Sequence, residues 1–150
     1  MAQSLSRVFV HITFSTKNRA PIIGDEIKHE LWAYIVGVCD ALDCKSIRVG
    51  GRDDHVHVCC VLSKNITQVK LLEEIKKSSS KWIKTKSEQY ANFYWQDGYG
   101  IFSVNPAEVE RVVEYITNQD AHHEKRTFQE ELVAFLQKYK VDYDERYLWS

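Results

Sequence analysis

The feature of this sequence that most restricts its fold is the run His-Val-His-Val-Cys-Cys-Val-Leu at residues 55–62. It follows the turn-forming residues 50–54, Gly-Gly-Arg-Asp-Asp, and continues as apolar chain. Because side chains alternate faces along a strand, a strand here puts His55 and His57 on one face and turns the intervening apolar side chains toward a core. The two histidines then lie roughly 7 Å apart along the backbone. Their rings can converge on one metal ion, although two independent histidines would satisfy the same pattern.

The bulk composition predicts one globular domain covering residues 1–150. The chain has 150 residues, of which 44% are hydrophobic and 27% are charged, as in ordinary globular proteins. It contains no long apolar run, so we expect no membrane span, and residues 1–15 lack a cleavable signal pattern. We therefore expect a cytoplasmic protein, in which the four cysteines act as small buried hydrophobic residues rather than as a zinc site.

The order of the elements predicts the fold class. Strand patterns cover residues 7–15, 45–51 and 55–62, and a fourth strand ends at residue 103; helical patterns cover residues 25–42 and 67–84 between them. This βαββαβ order is typical of an α+β, ferredoxin-like sandwich, in which a four-stranded antiparallel sheet carries both helices on one face. The first and third strands are then central, and a C-terminal helix is free to cover the other face.

The hydrophobic pattern also predicts which side chains form the core. On the first strand the core positions are Val8, Val10, Ile12 and Phe14, with His11 on the opposite face. On the second helix they are Val69, Leu72, Ile75 and Ile83.

The C-terminal helix has a start signal and two polar residues one turn apart. Asn105 is the predicted N-cap, Pro106 occupies the first helical position, and Glu108 is expected to complete a capping box. Tyr115 and Gln119 are four residues apart on a stripe beside the apolar one, so they are neighbours on the helix surface. A further helix is expected to open at residue 127.

Together these residues predict a specific phosphoryl chemistry. Two imidazoles and one amide oxygen can hold a divalent cation such as Mg²⁺ or Mn²⁺ and leave positions open for a phosphate. A tyrosine one turn from the amide can attack that phosphate and form a phosphotyrosine ester. Each residue taken alone is ordinary, and it is the combination that favours this chemistry.

The charge distribution predicts a polyanionic partner. Residues 64–86 contain seven lysines and two acids, whereas residues 105–150 contain ten acids and six basic residues. A basic face attracts nucleic acid, although the same lysines could simply solvate a helix. The candidate DNA-binding residues are Lys17, Arg19, Lys76, Lys77 and Lys81.

The chain resembles a known family through two motifs in the expected order. His55-Val56-His57 resembles the HUH motif, two histidines around a hydrophobic residue, and residues 114–119, Glu-Tyr-Ile-Thr-Asn-Gln, resemble the single-tyrosine helix with its metal-binding glutamine. The chain is similar over nearly its whole length to the single-tyrosine HUH transposases of the insertion-sequence 200/605 type. Residues 11–19, 95–103 and 143–149 contribute to the resemblance.

The resemblance implies an activity and a partner. Such enzymes cut and rejoin single-stranded DNA at hairpin-marked element ends, and their tyrosine takes the 5′ phosphate. On this sequence the nucleophile is then Tyr115, and the metal ligands are His55, His57 and Gln119. The resemblance also implies a homodimer in which the tyrosine helix of one subunit completes the histidine pair of the other. His11 and His122 are candidates for positions around the metal ligands.

Two other functions fit the same sequence. One is a domesticated relative that processes palindromic repeats without an element of its own. The other is a non-catalytic nucleic-acid-binding module, because the βαββαβ sheet also serves RNA binders. RNA binders of that type carry aromatic residues on the open sheet face, whereas the third strand here carries His55, His57 and Cys59. This composition favours the metal-dependent enzyme.

Overall fold

The computed structural model describes residues 2–119 and 126–149. The strands are β1 (Val8–Ser15), β2 (Ser46–Gly51), β3 (His55–Leu62) and β4 (Gly100–Val104). The helices of the described part are α1 (Asp25–Ala41), α2 (Gln68–Lys84), α3 (Val109–Thr117), α4 (Phe128–Lys138) and α5 (Glu145–Leu148), with short 3-10 turns at Lys17–Arg19, Glu88–Tyr90 and Pro106–Glu108. Among these helices, none has the length and apolar character needed to cross a bilayer.

The four strands form one antiparallel sheet in the order β2-β3-β1-β4. This order confirms the predicted ferredoxin-like sandwich and the central position of β1 and β3. The β1–β3 register pairs Thr13 with His57 and His11 with Cys59. The two central strands therefore bring three histidines to one region of the sheet.

Helices α1 and α2 cover the other sheet face and enclose the main core. Ile12, Val58 and Leu31 are fully buried there, and the four cysteines are buried and free, as predicted. Two predicted core residues are wrong: Val8 is 46% exposed and Val69 is 61% exposed. Val8 is the first residue of β1, at the end of the sheet where the strand begins. Val69 lies in the first turn of α2, on the flank of a buried stripe made by Leu71, Leu72, Ile75, Ser79 and Ile83.

The histidine-bearing face is covered by two helices rather than one. Helix α4 lies over its centre, where Phe128, Leu132 and Leu136 form a second apolar cluster with Phe102 of β4. Helix α3, which carries Tyr115, packs along β2 at the edge of the sheet. The tyrosine-bearing helix α3, which was predicted to cover this face, covers only its edge, and α4 covers the centre.

The starts of α3 and α4 use different capping interactions. The Asn105 side chain accepts a hydrogen bond from the Ala107 backbone N–H at 2.9 Å, but the chain then makes a 3-10 turn and the Glu108 carboxylate pairs with Arg111 at 3.2 Å. The complete capping box is at α4, between Thr127 and Glu130. That box stabilises the first turn of the helix that covers the site.

We predict that Gly50 is required for α3 to dock on β2. A β-carbon at Gly50 would lie 2.9 Å from Ile116 Cγ2 and 3.0 Å from the Ile116 carbonyl oxygen. Gly50→Ala should therefore lower the free energy of unfolding by about 1–3 kcal/mol through overpacking. Gly37→Ala is the matched control, because Gly37 is exposed within α1 and a β-carbon there meets no atom within 4 Å. That control should gain about 0.5–1 kcal/mol in urea unfolding, and unchanged stability of Gly50→Ala would contradict the described docking.

Candidate active site

The two histidines of β3 form the floor of a buried polar centre beneath α4. His55 and His57 are both fully buried, and their ring centroids are 5.1 Å apart. The ring of Phe128, in the first turn of α4, lies 4.8 Å from the His55 ring. The pleat of β3 thus brings the two imidazoles together as the sequence predicts, and α4 encloses them.

Each histidine is oriented by a hydrogen bond on its Nδ1 side. His55 Nδ1 lies 2.6 Å from Asp54 Oδ1, and His57 Nδ1 lies 2.8 Å from His11 Nε2. Histidine ligands of metals are commonly held in this way, with the second ring nitrogen bonded to a carboxylate or another acceptor. The predicted position of His11 near the histidine pair matches this contact, whereas Asp54 was not singled out from the sequence.

Both Nε2 atoms face oxygen atoms from the C-terminal part of the chain. Gln119 Oε1 lies 2.9 Å from His55 Nε2. Glu131 Oε1 lies 2.5 Å from His57 Nε2 and 3.8 Å from His55 Nε2, and Glu131 is only 1% exposed. One ligand atom from each of His55, His57 and Glu131 lies within 4.8 Å of the others. These three side chains could hold a metal ion, with the Gln119 oxygen beside them.

The contacts of His55 indicate that this centre accommodates positive charge. Asp54 is an acceptor, so it favours the tautomer with the proton on Nδ1 of His55. The lone pair of His55 Nε2 would then face the oxygen of Gln119, whose orientation is set by its Nε2–H donating to the Tyr115 carbonyl at 3.4 Å. Two facing acceptors repel each other unless a cation lies between them. Nitrogen and carboxylate ligands together suit a divalent cation.

Glu131 is the site residue that sequence reasoning missed. It lies on α4, three residues after Phe128 and four before Phe135, and therefore within the apolar stripe of that helix. A charged residue at an inward-facing position of an amphipathic helix is costly to bury without a partner. That break in the stripe was the available signal.

Tyr115 lies beside the histidines of its own chain. Its ring centroid is 5.6 Å from that of His57 and 6.3 Å from that of His11, and the side chain is partly exposed. Burial raises the pKa of the Tyr115 phenol well above its usual range, and the charge of Glu131 and a hydrogen bond with it raise this pKa further. The phenol is therefore protonated at neutral pH, with a carboxylate as its hydrogen-bonding partner.

Gln119 reaches the centre from a position just beyond α3. The helix ends at Thr117, and the Asn118 N–H bonds to the Glu114 carbonyl at 2.9 Å. Gln119 is nevertheless buried against His55 and one turn away from Tyr115. The structure thus brings His55, His57, Gln119 and Tyr115 together. His122 lies outside the described residues.

The predicted DNA-binding residues do not form one surface. Lys77 and Lys81 are exposed on α2, across the sheet from the histidines. Lys76 is on the same helix, but its ammonium donates to the carbonyls of Gln96 and Gly98 at 2.8 and 2.6 Å, and burial lowers its pKa to about 8. These contacts assign Lys76 a structural role in holding the loop before β4.

The two other candidates are in the 3-10 turn after β1. Lys17 is exposed. The Arg19 guanidinium lies 5.4 Å from the ring centroid of Trp149 and borders a cleft of about 390 Å³ that Arg52 also lines. Arg19 is the predicted residue that shares a cleft with Asp54, the residue that contacts His55.

Comparison with known proteins gives a family match and two structural neighbours. The family described as transposase IS200 like matches residues 4–119. A chain described as a transposase from Deinococcus radiodurans R1 has a TM-score of 0.61 at 16% identity, covering 79% of this chain and 98% of that one. The REP-associated tyrosine transposase bound to a REP hairpin has a TM-score of 0.60 at 17% identity, covering 96% and 93%. At these identities the two structures show a shared fold. No curated protein sequence matches the chain.

We predict that burial of neutral His11 makes the protein less stable in acid. Burial lowers the pKa of His11 from 6.5 to about 3, the charges of His57 and Lys138 lower it, and Glu131 opposes them. In the unfolded chain His11 takes up a proton near pH 6.5, whereas in the folded protein it does not. The contribution of neutral His11 to the free energy of unfolding is therefore present above pH 6.5 and is lost as the pH falls toward 3. Urea unfolding with a chelator should lose up to about 1.4 kcal/mol per pH unit more in the wild type than in His11→Gln. Parallel pH profiles would contradict the prediction.

Proposed function

This chain belongs to the IS200-like transposase family, and we propose that it is a metal-dependent enzyme that cuts and rejoins single-stranded DNA through Tyr115. The observation that carries the proposal is the meeting of Tyr115 with two buried imidazoles, an amide and a carboxylate in one centre. A nucleic-acid-binding module that performs no chemistry has no use for a buried group of this kind. Perturbed titratable groups in a cavity are typical of catalytic sites.

A divalent cation, Mg²⁺ or Mn²⁺, fits the side chains of the centre. We propose that His55 Nε2, His57 Nε2, Gln119 Oε1 and the Glu131 carboxylate would hold it. When bound, it would supply positive charge next to the phosphate and the leaving oxygen. Asp54 and His11 keep both imidazoles turned toward the centre by bonding to their Nδ1 atoms.

The proposed reaction transfers a phosphodiester to tyrosine. The Tyr115 hydroxyl oxygen forms a bond to phosphorus while the bond from phosphorus to the 3′ oxygen breaks. The 3′ oxygen takes a proton from solvent water and leaves as a hydroxyl, and the 5′ phosphate remains as a tyrosine ester. Glu131, which shares a hydrogen bond with Tyr115, is the side chain placed to receive the phenol proton. Attack of a 3′ hydroxyl on the ester reverses the step and rejoins DNA.

We propose a hairpin-containing single strand as the DNA partner. The structural neighbour that covers 96% of this chain is bound to a REP hairpin. This similarity also favours the second candidate, a relative that processes palindromic repeats without moving an element. Both candidates use the same covalent step, and they differ in which genomic hairpins are cut.

The resemblance to single-tyrosine transposases further predicts a homodimer with exchanged tyrosine helices. In this structure Tyr115 lies 5.6 Å, ring to ring, from His57 of the same chain. This distance fits a self-contained site within one subunit, which is the alternative to the exchanged arrangement. Homodimer formation and exchange of the tyrosine helix both stay predictions.

We predict that Mn²⁺ stabilises the folded protein through the four ligands. At a concentration of 100 times its dissociation constant, a ligand that binds only the folded state adds about 2.7 kcal/mol. The wild type should therefore melt at a higher temperature with Mn²⁺ than with chelator. His55→Ala/His57→Ala should lose this shift, and Glu131→Gln should reduce it. His29→Ala, at an exposed position of α1, is the control that should keep it. An equal Mn²⁺ shift in the double variant would refute the site.

We predict that Tyr115→Phe forms no covalent DNA adduct. The substitution removes one oxygen and keeps the ring that packs 5.7 Å from Phe135, so the variant should fold and bind DNA. The assay incubates protein and Mn²⁺ with hairpin-forming single strands from DNA flanking the gene, labelled at the 3′ end, and resolves adducts on a denaturing gel. Tyr94→Phe, at an exposed position, should react like the wild type. Adduct on Tyr115→Phe would overturn the mechanism, and its absence from the wild type with every flanking strand would favour the binding module.

Mixing inactive subunits tests the site arrangement in the same assay. With self-contained sites, a mixture of Tyr115→Phe and His57→Ala subunits stays inactive, because every site holds one defect. Restored adduct formation would instead show that subunits exchange their tyrosine helices. Heterodimers must be demonstrated by two different affinity tags for the comparison to count.

A further inference from the structure

Among the residues that the structure describes, a cavity beside Tyr115 leads to the proposed catalytic centre. Helix α4 closes the centre directly above His55 and His57, which have no exposed surface. Tyr115 is partly exposed and lines a cavity of about 760 Å³ between α3, β4 and α4, with His11 and Glu131 also in its lining. We call it the α3–α4 cavity. In the described part of the chain Tyr115 faces this cavity, which offers a substrate phosphate a path to the tyrosine.

The rim of the α3–α4 cavity carries three basic residues. Arg111 lies on α3, whereas Arg126 precedes α4 and Lys138 ends it. All three are exposed. Arg111 pairs with Glu108 at 3.2 Å, which leaves Arg126 and Lys138 as the cations opposite it.

One wall of the cavity is aromatic and held rigidly. Phe135 and Tyr139 line it, and both stack on Phe102, at centroid distances of 5.6 and 4.8 Å. A cationic rim with aromatic side chains behind it is the combination that binds single-stranded nucleic acid. The volume is in the range of about 300–1,000 Å³ that small-ligand sites occupy, and it exceeds what a phosphate ion alone requires.

From this arrangement we infer that the α3–α4 cavity binds the single-stranded nucleotide next to the phosphate that Tyr115 attacks. Arg126 and Lys138 contact backbone phosphates, and Phe135 and Tyr139 contact the base or sugar. The inference rests on the proposed function and adds its substrate-binding residues. None of these four residues is among the DNA-binding residues predicted from the sequence.

Arg126 also indicates where the strand continues. It borders the cleft of about 390 Å³ that contains Arg19 and Arg52, together with Asp53 and Asp54. The cavity and the cleft thus meet at one arginine near the start of α4. A strand that leaves the α3–α4 cavity past Arg126 would enter this second cationic site, so the inference extends to Arg19.

The test compares two pairs of cations on opposite faces of the sheet. Arg126→Ala/Lys138→Ala removes the cavity pair, and Lys77→Ala/Lys81→Ala removes the same charge from the exposed side of α2. Both are made in the Tyr115→Phe background, so that binding is measured without cleavage. Fluorescence anisotropy follows a hairpin with a labelled single-stranded flank over a salt series. Loss of two contacts to a single strand should reduce the slope of log K against log salt by about 1.4.

We expect Arg126→Ala/Lys138→Ala to weaken DNA binding about tenfold at low salt and to lower the salt slope. Lys77→Ala/Lys81→Ala should leave the affinity and the slope unchanged. Tyr139→Leu provides a second measurement that does not depend on charge. It should weaken binding of the flank, as removal of a stacking residue does, and a melting curve confirms that the variant is folded. The inference would be overturned if Arg126→Ala/Lys138→Ala bound DNA like the wild type. It would also be overturned if only Lys77→Ala/Lys81→Ala lost affinity for DNA.

The outcome separates this inference from the proposed function. If the wild type forms the tyrosine adduct and the cavity pair binds and reacts normally, the proposed function stands and the inference fails. If the wild type forms no adduct while the cavity pair loses binding, the proposed chemistry fails and the cavity remains a strand-binding site.

Discussion

The contact between the buried Glu131 carboxylate and the imidazole of His57 is the interaction on which the site depends. A carboxylate that is 1% exposed requires positive charge or hydrogen-bond donors around it, because its desolvation is costly. Here the partners are a histidine pair on the central strand β3 and the hydroxyl of Tyr115. Helix α4 is therefore tied to the sheet by a polar contact as well as by its apolar stripe.

The parts of the site differ in how firmly the fold holds them. His55, His57 and His11 lie on the two central strands, where sheet pairing on both sides and α1 and α2 behind restrict any movement. Tyr115 lies on a short helix that rests on an edge strand, with Gly50 giving the space for Ile116. The histidines and Tyr115 thus lie on separate elements, and this division is compatible with the proposed reaction, in which the tyrosine becomes covalently linked to DNA and is later released.

The cations of the folded chain are distributed differently from the charges counted along the sequence, and the DNA-binding residues named from the sequence stay a prediction. The lysine-rich segment forms α2, whose exposed side faces away from the catalytic centre, and Lys76 is occupied by the carbonyls of Gln96 and Gly98. The basic residues near Tyr115 come instead from segments that are acidic overall. The net charge of a segment does not show which cations border a cavity in the folded chain.

The sequence by itself determined the order of elements, the sheet topology and the inward face of each strand, because alternation and helical periodicity are local properties of the chain. It also identified His55, His57, Tyr115 and Gln119 as candidate site residues, through their short spacings on β3 and around α3. Only the tertiary structure decided that α4 covers the centre, that Glu131 and Asp54 contact the histidines, and that Arg126 and Lys138 border the cavity beside Tyr115. These contacts join residues far apart in the chain. Such contacts depend on how α3 and α4 pack on the sheet. That packing is set by all the side chains of the interface together rather than by any local pattern of the sequence.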